Sequence, residues 1–266
     1  MVALNAERVR RALLCGFYWA FIVYLALPLG LIALVSFKQT PIVGFPLGAL
    51  TGRWYGTVLI DVEMLRAFAY SVLVALASTV LAVVAGVWTA LAIARARQRS
   101  LRAALLCGAV VPLVTPGVVH AIALRMFIRG IDLDPGPLAV ILGHAIHAAP
   151  YVVIMVAVRL SVMPPRLIEA ARDLGAGAAD RFLRVTLPWL RPAILGAAGL
   201  AALTSFDDFL RSFFLSGYEV TLPVLIYGRL RSGLTPEINA VATLVLLVTA
   251  AAGLVVERQT RRASVQ

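Results

Sequence analysis

Glu169-Ala-Ala-Arg-Asp-Leu-Gly175 is followed by nine residues and then Val185-Thr186-Leu187-Pro188, a polar, arginine-rich segment set between two apolar runs. Pro164-Pro165 suits the position just before a helix start, since proline lacks an N–H and clashes with a preceding turn. A helix is therefore predicted from about Arg166. Ile168, Ala171 and Leu174 recur at helical spacing, and Gly175 and Gly177 end the pattern where positive φ is needed. A second short helix over about 178–185 would put Phe182 and Val185 on one face, with Pro188 marking its end.

Outward from this loop the chain is apolar. Of 266 residues 61% are hydrophobic and 14% charged, with a mean hydropathy of +0.93, against roughly half apolar and a quarter charged in soluble chains. This is the composition of a polytopic membrane protein. Apolar runs of about 20 residues cross a hydrocarbon core of roughly 30 Å, and six are predicted, near 12–36, 66–94, 102–128, 137–159, 192–216 and 238–257. Without water to satisfy the backbone at that depth each should be helical, so the fold class is all-α, six transmembrane helices in a single domain spanning 1–266.

Charge orients the bundle. Both termini and the segments near 95–102 and 160–191 fall on one side, with sixteen of the 24 basic residues and five acids, a net of +11. The rest of the chain carries eight bases and eight acids, net zero. Positive loops stay inside, so this side is assigned to the cytoplasm. The pI near 10.8 then reflects topology. Arginines scattered over four segments flanking membrane helices give no support to nucleic-acid binding. Labels on cysteines placed at Gly44 and Gly217 are expected to react from outside, and labels at Ala178 and Ser264 only once the membrane is opened.

The spacing of E-A-A, three residues, G, nine residues, an aliphatic, one residue, L-P resembles the EAA loop of binding-protein-dependent ABC importer permeases, with Val185 at the usual isoleucine. The resemblance implies two short cytoplasmic helices, broken by Gly175, that dock into a groove on an ATPase subunit. Glu169, Ala170, Ala171, Gly175, Leu187 and Pro188 are then the coupling residues. No G-x-x-x-x-G-K-[ST] occurs and the only lysine is Lys38, so ATP and magnesium would belong to that separate partner and this chain would carry no cofactor and no catalytic residue.

The basic N-terminus precedes an apolar run too long for a secretory signal, and a retained first span is expected. Cys15 and Cys107 fall within spans and are read as small packing residues. Between 38 and 65, Pro41, Gly44, Pro46, Gly48 and Gly52 predict a loop, and Arg53-Trp54-Tyr55 an interfacial anchor. The second span has no internal proline and should be continuous. In the third, Pro112, Pro116 and Gly117 predict a kink or interruption, and Asp132 to Pro137 a surface turn. His144 and His147 share a helical face, but with no carboxylate or thiol at usable spacing they are read, with His120, as hydrogen bonded between helices, and no metal is expected.

Asp207 and Asp208 lie in an apolar run, where ionised groups are costly and face a cavity or the bundle interior. Adjacent helical residues diverge by about 100°, so the two need not share a role. Substrate path and a structural cap or ion pair with Arg211 both stand as readings. The run from Ser205 through Phe209, with Leu222-Pro223, Tyr227, Arg231-Ser-Gly233 and Pro236-Glu-Ile-Asn-Ala240, resembles permeases of the spermidine/putrescine importer group, and permeases for opines or aminoethylphosphonate share much of it. The resemblance implies a type I importer: two permease subunits, usually a hetero-pair of paralogues, on two ATPase subunits, with an extracytoplasmic solute-binding protein delivering the solute. For a cationic solute Asp207 or Asp208 would supply counter-charge, with Tyr227 and Glu237 nearer the outer mouth, though Glu237 also suits a helix start after Pro236. A membrane-embedded enzyme or a proton-coupled secondary transporter is the other class. It is disfavoured because no nucleophile–base pairing or metal cluster is present and the halves show no E-A-A-like repeat.

Overall fold

The computed structural model describes residues 2–40, 48–233 and 235–265, and these are almost entirely helical. In order the helices are α1 (Val2–Val35), α2 (Arg53–Ile60), α3 (Val62–Arg95), α4 (Arg99–Val114), α5 (Gly117–Gly130), α6 (Pro137–Ser161), α7 (Pro165–Asp173), α8 (Ala178–Arg181), α9 (Leu187–Phe206), α10 (Phe209–Leu215), α11 (Leu222–Ser232) and α12 (Pro236–Val265). Five are long and apolar enough to cross a membrane, six if the bent pair α4 and α5 counts as one span. That pair meets at 110° across Thr115-Pro116, the interruption expected from Pro112, Pro116 and Gly117. The second span is one unbroken helix, as its lack of proline implied.

The chain divides into two compact units, Met1–Val62 with Gly228–Val248, and Glu63–Tyr227 with Thr249–Gln266. In the first, α2 replaces the loop expected before residue 65. Its residues turn back onto the end of α1. The Trp54 indole N–H donates to the Lys38 carbonyl at 2.7 Å, and the Tyr55 hydroxyl bonds Ser36 Oγ at 2.6 Å while its ring meets Phe37 at 5.1 Å. Trp54 and Tyr55 thus spend their polar tips on their own chain. Pro41, Gly44 and Pro46 lie outside the described residues.

The second unit holds the bundle core, where α3, α6 and α9 meet through small residues. Ala82 and Ala90 of α3, Ala148, Val152 and Val156 of α6, and Leu190, Ala197 and Ala201 of α9 are buried together. Within lipid, close backbone approach and van der Waals packing hold helices together because apolar surface gains little by leaving acyl chains. At Gly86 an added Cβ would stand 2.6 Å from Val152 Cβ, so α3 and α6 touch at glycine. Near the α5–α6 turn a second cluster joins Tyr70 and Val74 with Leu124, Ile128, Val140 and Leu215. Arg159 and Trp189 clasp the opposite end of α6 to α9. The Arg159 Nε–H donates to the Trp189 carbonyl at 3.2 Å, the indole N–H returns a bond to the Arg159 carbonyl at 3.1 Å, and the guanidinium lies 4.3 Å over the ring.

Two expectations are corrected here. Pro188 does not end a short helix: α8 runs through a π-helical turn, Phe182–Thr186, directly into α9, with Pro188 and Pro192 inside the helical stretch. The wider turn, in which the Leu187 N–H reaches back five residues to the Phe182 carbonyl, makes room for a ring that would otherwise press on the carbonyl four residues earlier. Cys15 and Cys107 are exposed free thiols, not packing residues; they sit on helix faces turned away from the chain's own core.

Candidate functional site

The loop that organises the sequence is a helix, a glycine stop and a restart. α7 begins at Pro165, which needs no N–H partner there. Its end is a Schellman motif: the Ala176 N–H donates to the Ala171 carbonyl at 3.0 Å and the Gly175 N–H to Arg172 at 2.9 Å. Gly175 has φ +80°, the conformation predicted from its spacing, and an added Cβ there would meet open space, so backbone geometry alone demands glycine. The Arg181 guanidinium donates to the Ala176 carbonyl at 2.7 Å and ties the restart to the stop. Ile168 faces inward, lining a cavity of about 320 Å³ with Leu91, Leu160 and Phe182, and Trp88 of α3 stacks on Phe182 at 6.4 Å. Glu169, Ala170, Pro188 and Leu174 are exposed, Leu174 at 88%. Ala171 and Leu187 are half-buried. The loop therefore presents acid, small and apolar side chains outward from a base keyed into α3 and α6.

The second centre lies at the break between α9 and α10, so the fifth span is not the single run 192–216. Asp207 and Asp208 are the two residues of the break, and they differ sharply. Asp208 caps α10, accepting the Arg211 N–H on Oδ1 at 3.1 Å, and its Oδ2 pairs with the Arg211 guanidinium at 2.7 Å. Both residues are buried, Asp208 at 8% exposed and Arg211 at 5%. Arg211 also donates from Nε and Nη2 to His120 Nδ1 of α5, at 3.4 and 3.2 Å, so that ring carries its proton on Nε2. The cap and ion pair weighed for this acid are both present, and they consume its charge. Asp207, in contrast, is exposed, and its carboxylate makes no hydrogen bond or ion pair among the described residues. Aromatic rings flank it: Phe206 meets Phe68 edge-on at 5.8 Å, and Phe209 lies 4.8 Å from Tyr227.

A polar chain crosses this break, joining His144 to serine partners that the sequence does not single out for it. His144 of α6 bonds Ser205 of α9 through Nδ1 at 2.8 Å and Ser212 of α10 through Nε2 at 3.1 Å. Ser205 continues to Ser78 of α3 at 2.9 Å, and Ser78 donates to the Ala75 carbonyl at 3.2 Å. With the Ser78 hydrogen so used, Ser205 donates to Ser78, His144 Nδ1–H donates to Ser205, and Nε2 accepts from Ser212. The signal was legible in part: Ser205 and Ser212 are seven residues apart, two helical turns, on either side of the acid pair. His147 stands apart from that chain, 6.1 Å from the His120 ring and 5.9 Å from Tyr151. Histidines bonded between helices are what the sequence implied, and His120 and His144 are so bonded; His147 is not, its Nδ1 being buried without a hydrogen-bond partner among the described residues. No group of three or more metal-ligating side chains is assembled among the described residues.

Glu237 lies in the other unit. There it accepts from Arg229 at 3.2 Å, and Asp61 shares the same guanidinium at 2.7 Å. It also stands in the first turn of α12, where a carboxylate favours the helix N-terminus. Its charge is thus matched within its own unit, unlike that of Asp207.

Residues 82–263 match the family described as the binding-protein-dependent transport system inner membrane component. The chain belongs to that family. It is the permease subunit of an ABC importer and a membrane protein. The permease is 31% identical over 244 residues to the spermidine/putrescine transport system permease protein PotC of Escherichia coli (strain K12), covering 91% of each chain. It is 33% identical over 230 residues to the putrescine transport system permease protein PotI of the same organism, covering 84% of this chain and 82% of that one. Its fold is also that of a bacterial ABC transporter that imports the acidic polysaccharide alginate, at TM-score 0.74 and 18% identity over 97% of this chain and 98% of that one. The MetNI methionine transporter in an inward-facing conformation follows at TM-score 0.64 and 20% identity, over 75% and 95%. Folds this similar serving an acidic polymer and an amino acid leave the solute to be argued from side chains.

Proposed function

We propose that this permease imports a small cationic amine of the polyamine class, delivered by an extracytoplasmic binding protein and driven by two copies of a separate ATPase that brings ATP and magnesium. The observation that carries the reading is the asymmetry of the acid pair. Asp208 is neutralised by Arg211, while Asp207 keeps a charge unmatched among the described residues, at a helix break beside Phe206 and Phe209. An accessible, unmatched acid at a break in an apolar span suits a passing cation. The Phe209 and Tyr227 rings offer π faces to ammonium groups and apolar surface to the methylenes between them. Identity to PotC and PotI at this level supports the same solute class.

In this reading α7, Gly175 and the restart to Pro188 receive the ATPase on the cytoplasmic side, and both termini lie on that side by the charge balance. A second permease, a paralogue, completes the path. The test is uptake by the assembled complex in proteoliposomes. Asp207→Asn should reduce spermidine or putrescine uptake at least tenfold, the scale of losing one partner of a desolvated ion pair, on the order of 2 to 5 kcal/mol. Full uptake by that variant would remove the cationic assignment and leave the importer permease standing.

A further inference from the structure

We infer that His144 is a positioning residue for solute transfer, a clamp across the α9–α10 break that sets where Asp207 points; this rests on the cationic-solute reading above. A break in a helix releases backbone groups and frees the two halves to reorient, unless neighbours re-satisfy and hold them. Here Asp208 satisfies the freed Arg211 N–H, and one imidazole holds the two halves through their serine hydroxyls. Its Nδ1 holds Ser205, two residues before Asp207, and its Nε2 holds Ser212, five residues after it. The ring is 1% exposed, so no water competes for these bonds.

The clamp is anchored on both sides. Ser205 is fixed in turn by Ser78 of α3, and Gly143, beside His144 in α6, is packed against Leu215 of α10 closely enough that a Cβ would collide. At the far end of α10 the Gly136 N–H donates to the Leu215 carbonyl at 3.0 Å. His144 is the eighth residue of α6, so the break lies about 10 Å in from the end of α6 opposite α7 at 1.5 Å per residue. With the residues on either side of Asp207 held by two opposed bonds, the backbone that carries its carboxylate keeps one orientation. The Asp208–Arg211–His120 set holds α10 to α5 and makes no side-chain bond to α9 among the described residues. Among the described residues, the His144 ring is the side chain that bonds to both halves.

The experiment uses the assembled complex in proteoliposomes with saturating spermidine-loaded binding protein, and reads the ratio of spermidine transported to ATP hydrolysed. His144→Asn keeps a donor near the Nδ1 position for Ser205 and loses the reach to Ser212. Ser212→Ala removes the same bond from the other side by deleting a single oxygen, and carries the test if the His144 variant fails to assemble. Each should lower the ratio on the order of tenfold, the effect of one buried hydrogen bond. The double variant should be no worse than either single, because both break one interaction. In an Asp207→Asn background neither should lower the ratio further. A general structural fault would instead reduce uptake and hydrolysis together and leave the ratio unchanged, which would overturn the clamp. So would a normal ratio in His144→Asn and Ser212→Ala while Asp207→Asn is impaired, an outcome that preserves the cationic reading. An undiminished effect in the Asp207→Asn background would likewise show that the clamp serves something other than that carboxylate. Asp207→Asn without effect would remove the cationic reading itself, and the proposed role of His144 with it.

Discussion

Asp207 and Asp208 are neighbours in sequence, and their asparagine variants should fail by different routes. In Asp208→Asn the side chain still caps α10 through its carbonyl oxygen, but Arg211, 5% exposed, loses its counter-charge. Breaking a buried pair from one side costs about 3–5 kcal/mol. The thermal unfolding midpoint of the purified permease should therefore fall in Asp208→Asn and stay at the parental value in Asp207→Asn, whose carboxylate has no partner to lose. Equal midpoints would mean that Arg211 finds another acceptor. The same logic separates glycines. Gly86→Val should weaken the α3–α6 contact, where Val152 already occupies the space, at a cost of about 1–3 kcal/mol, measurable as the same midpoint shift.

At the level of elements the coupling loop gives the sharpest test. Gly175 closes α7 at φ +80°, a conformation that costs a β-branched residue about 1–3 kcal/mol. Gly175→Val should loosen the Schellman turn and swing α7 relative to the α8–α9 continuation. Glu169→Arg reverses an exposed charge on the outward face of α7 without touching its fold. Both variants should insert normally and lose co-purification with the ATPase. Retained co-purification in both would remove the docking role from this loop. Because α8, the π turn and α9 form one helical stretch from Ala178 to Phe206, a push at the loop has a direct mechanical line to the break at Asp207.

For the whole molecule, the +11 against zero charge balance predicts which side of the membrane each loop occupies. Cysteine scanning needs sites that tolerate a side chain, and the structure changes the choice. At Gly217 an added Cβ would stand 2.8 Å from the Pro135 carbonyl oxygen, and Gly44 and the side chain of Ser264 lie outside the described residues. Tyr218, fully exposed at 108%, and Ala178, exposed at the start of α8, are the better pair. In a background lacking Cys15 and Cys107, Tyr218→Cys should react with an impermeant maleimide on intact cells and Ala178→Cys only after permeabilisation. The opposite pattern would invert the topology.

What the sequence determined by itself was what depends on local composition and spacing. Hydropathy located the spans other than the fifth, which runs Ala178–Phe206 and not 192–216, because the bilayer responds to apolar length, and Pro112, Pro116 and Gly117 announced the broken third span because proline acts on its own backbone. Gly175 was legible because a Schellman turn needs positive φ at one position. The EAA spacing and the Ser205 to Asp208 run carried the family. What only the tertiary structure decided was partnership across the bundle. It chose Arg211 for Asp208 and gave Asp207 no partner among the described residues, put His144 between Ser205 and Ser212, and carried the chain through Pro188 on a π turn against Trp88. Those outcomes turn on side chains 61 to 127 residues apart for the His144, Ser205, Ser212 and Ser78 set. A buried polar group takes whichever partner the packing brings within about 3 Å, and packing on that scale is a property of the folded bundle.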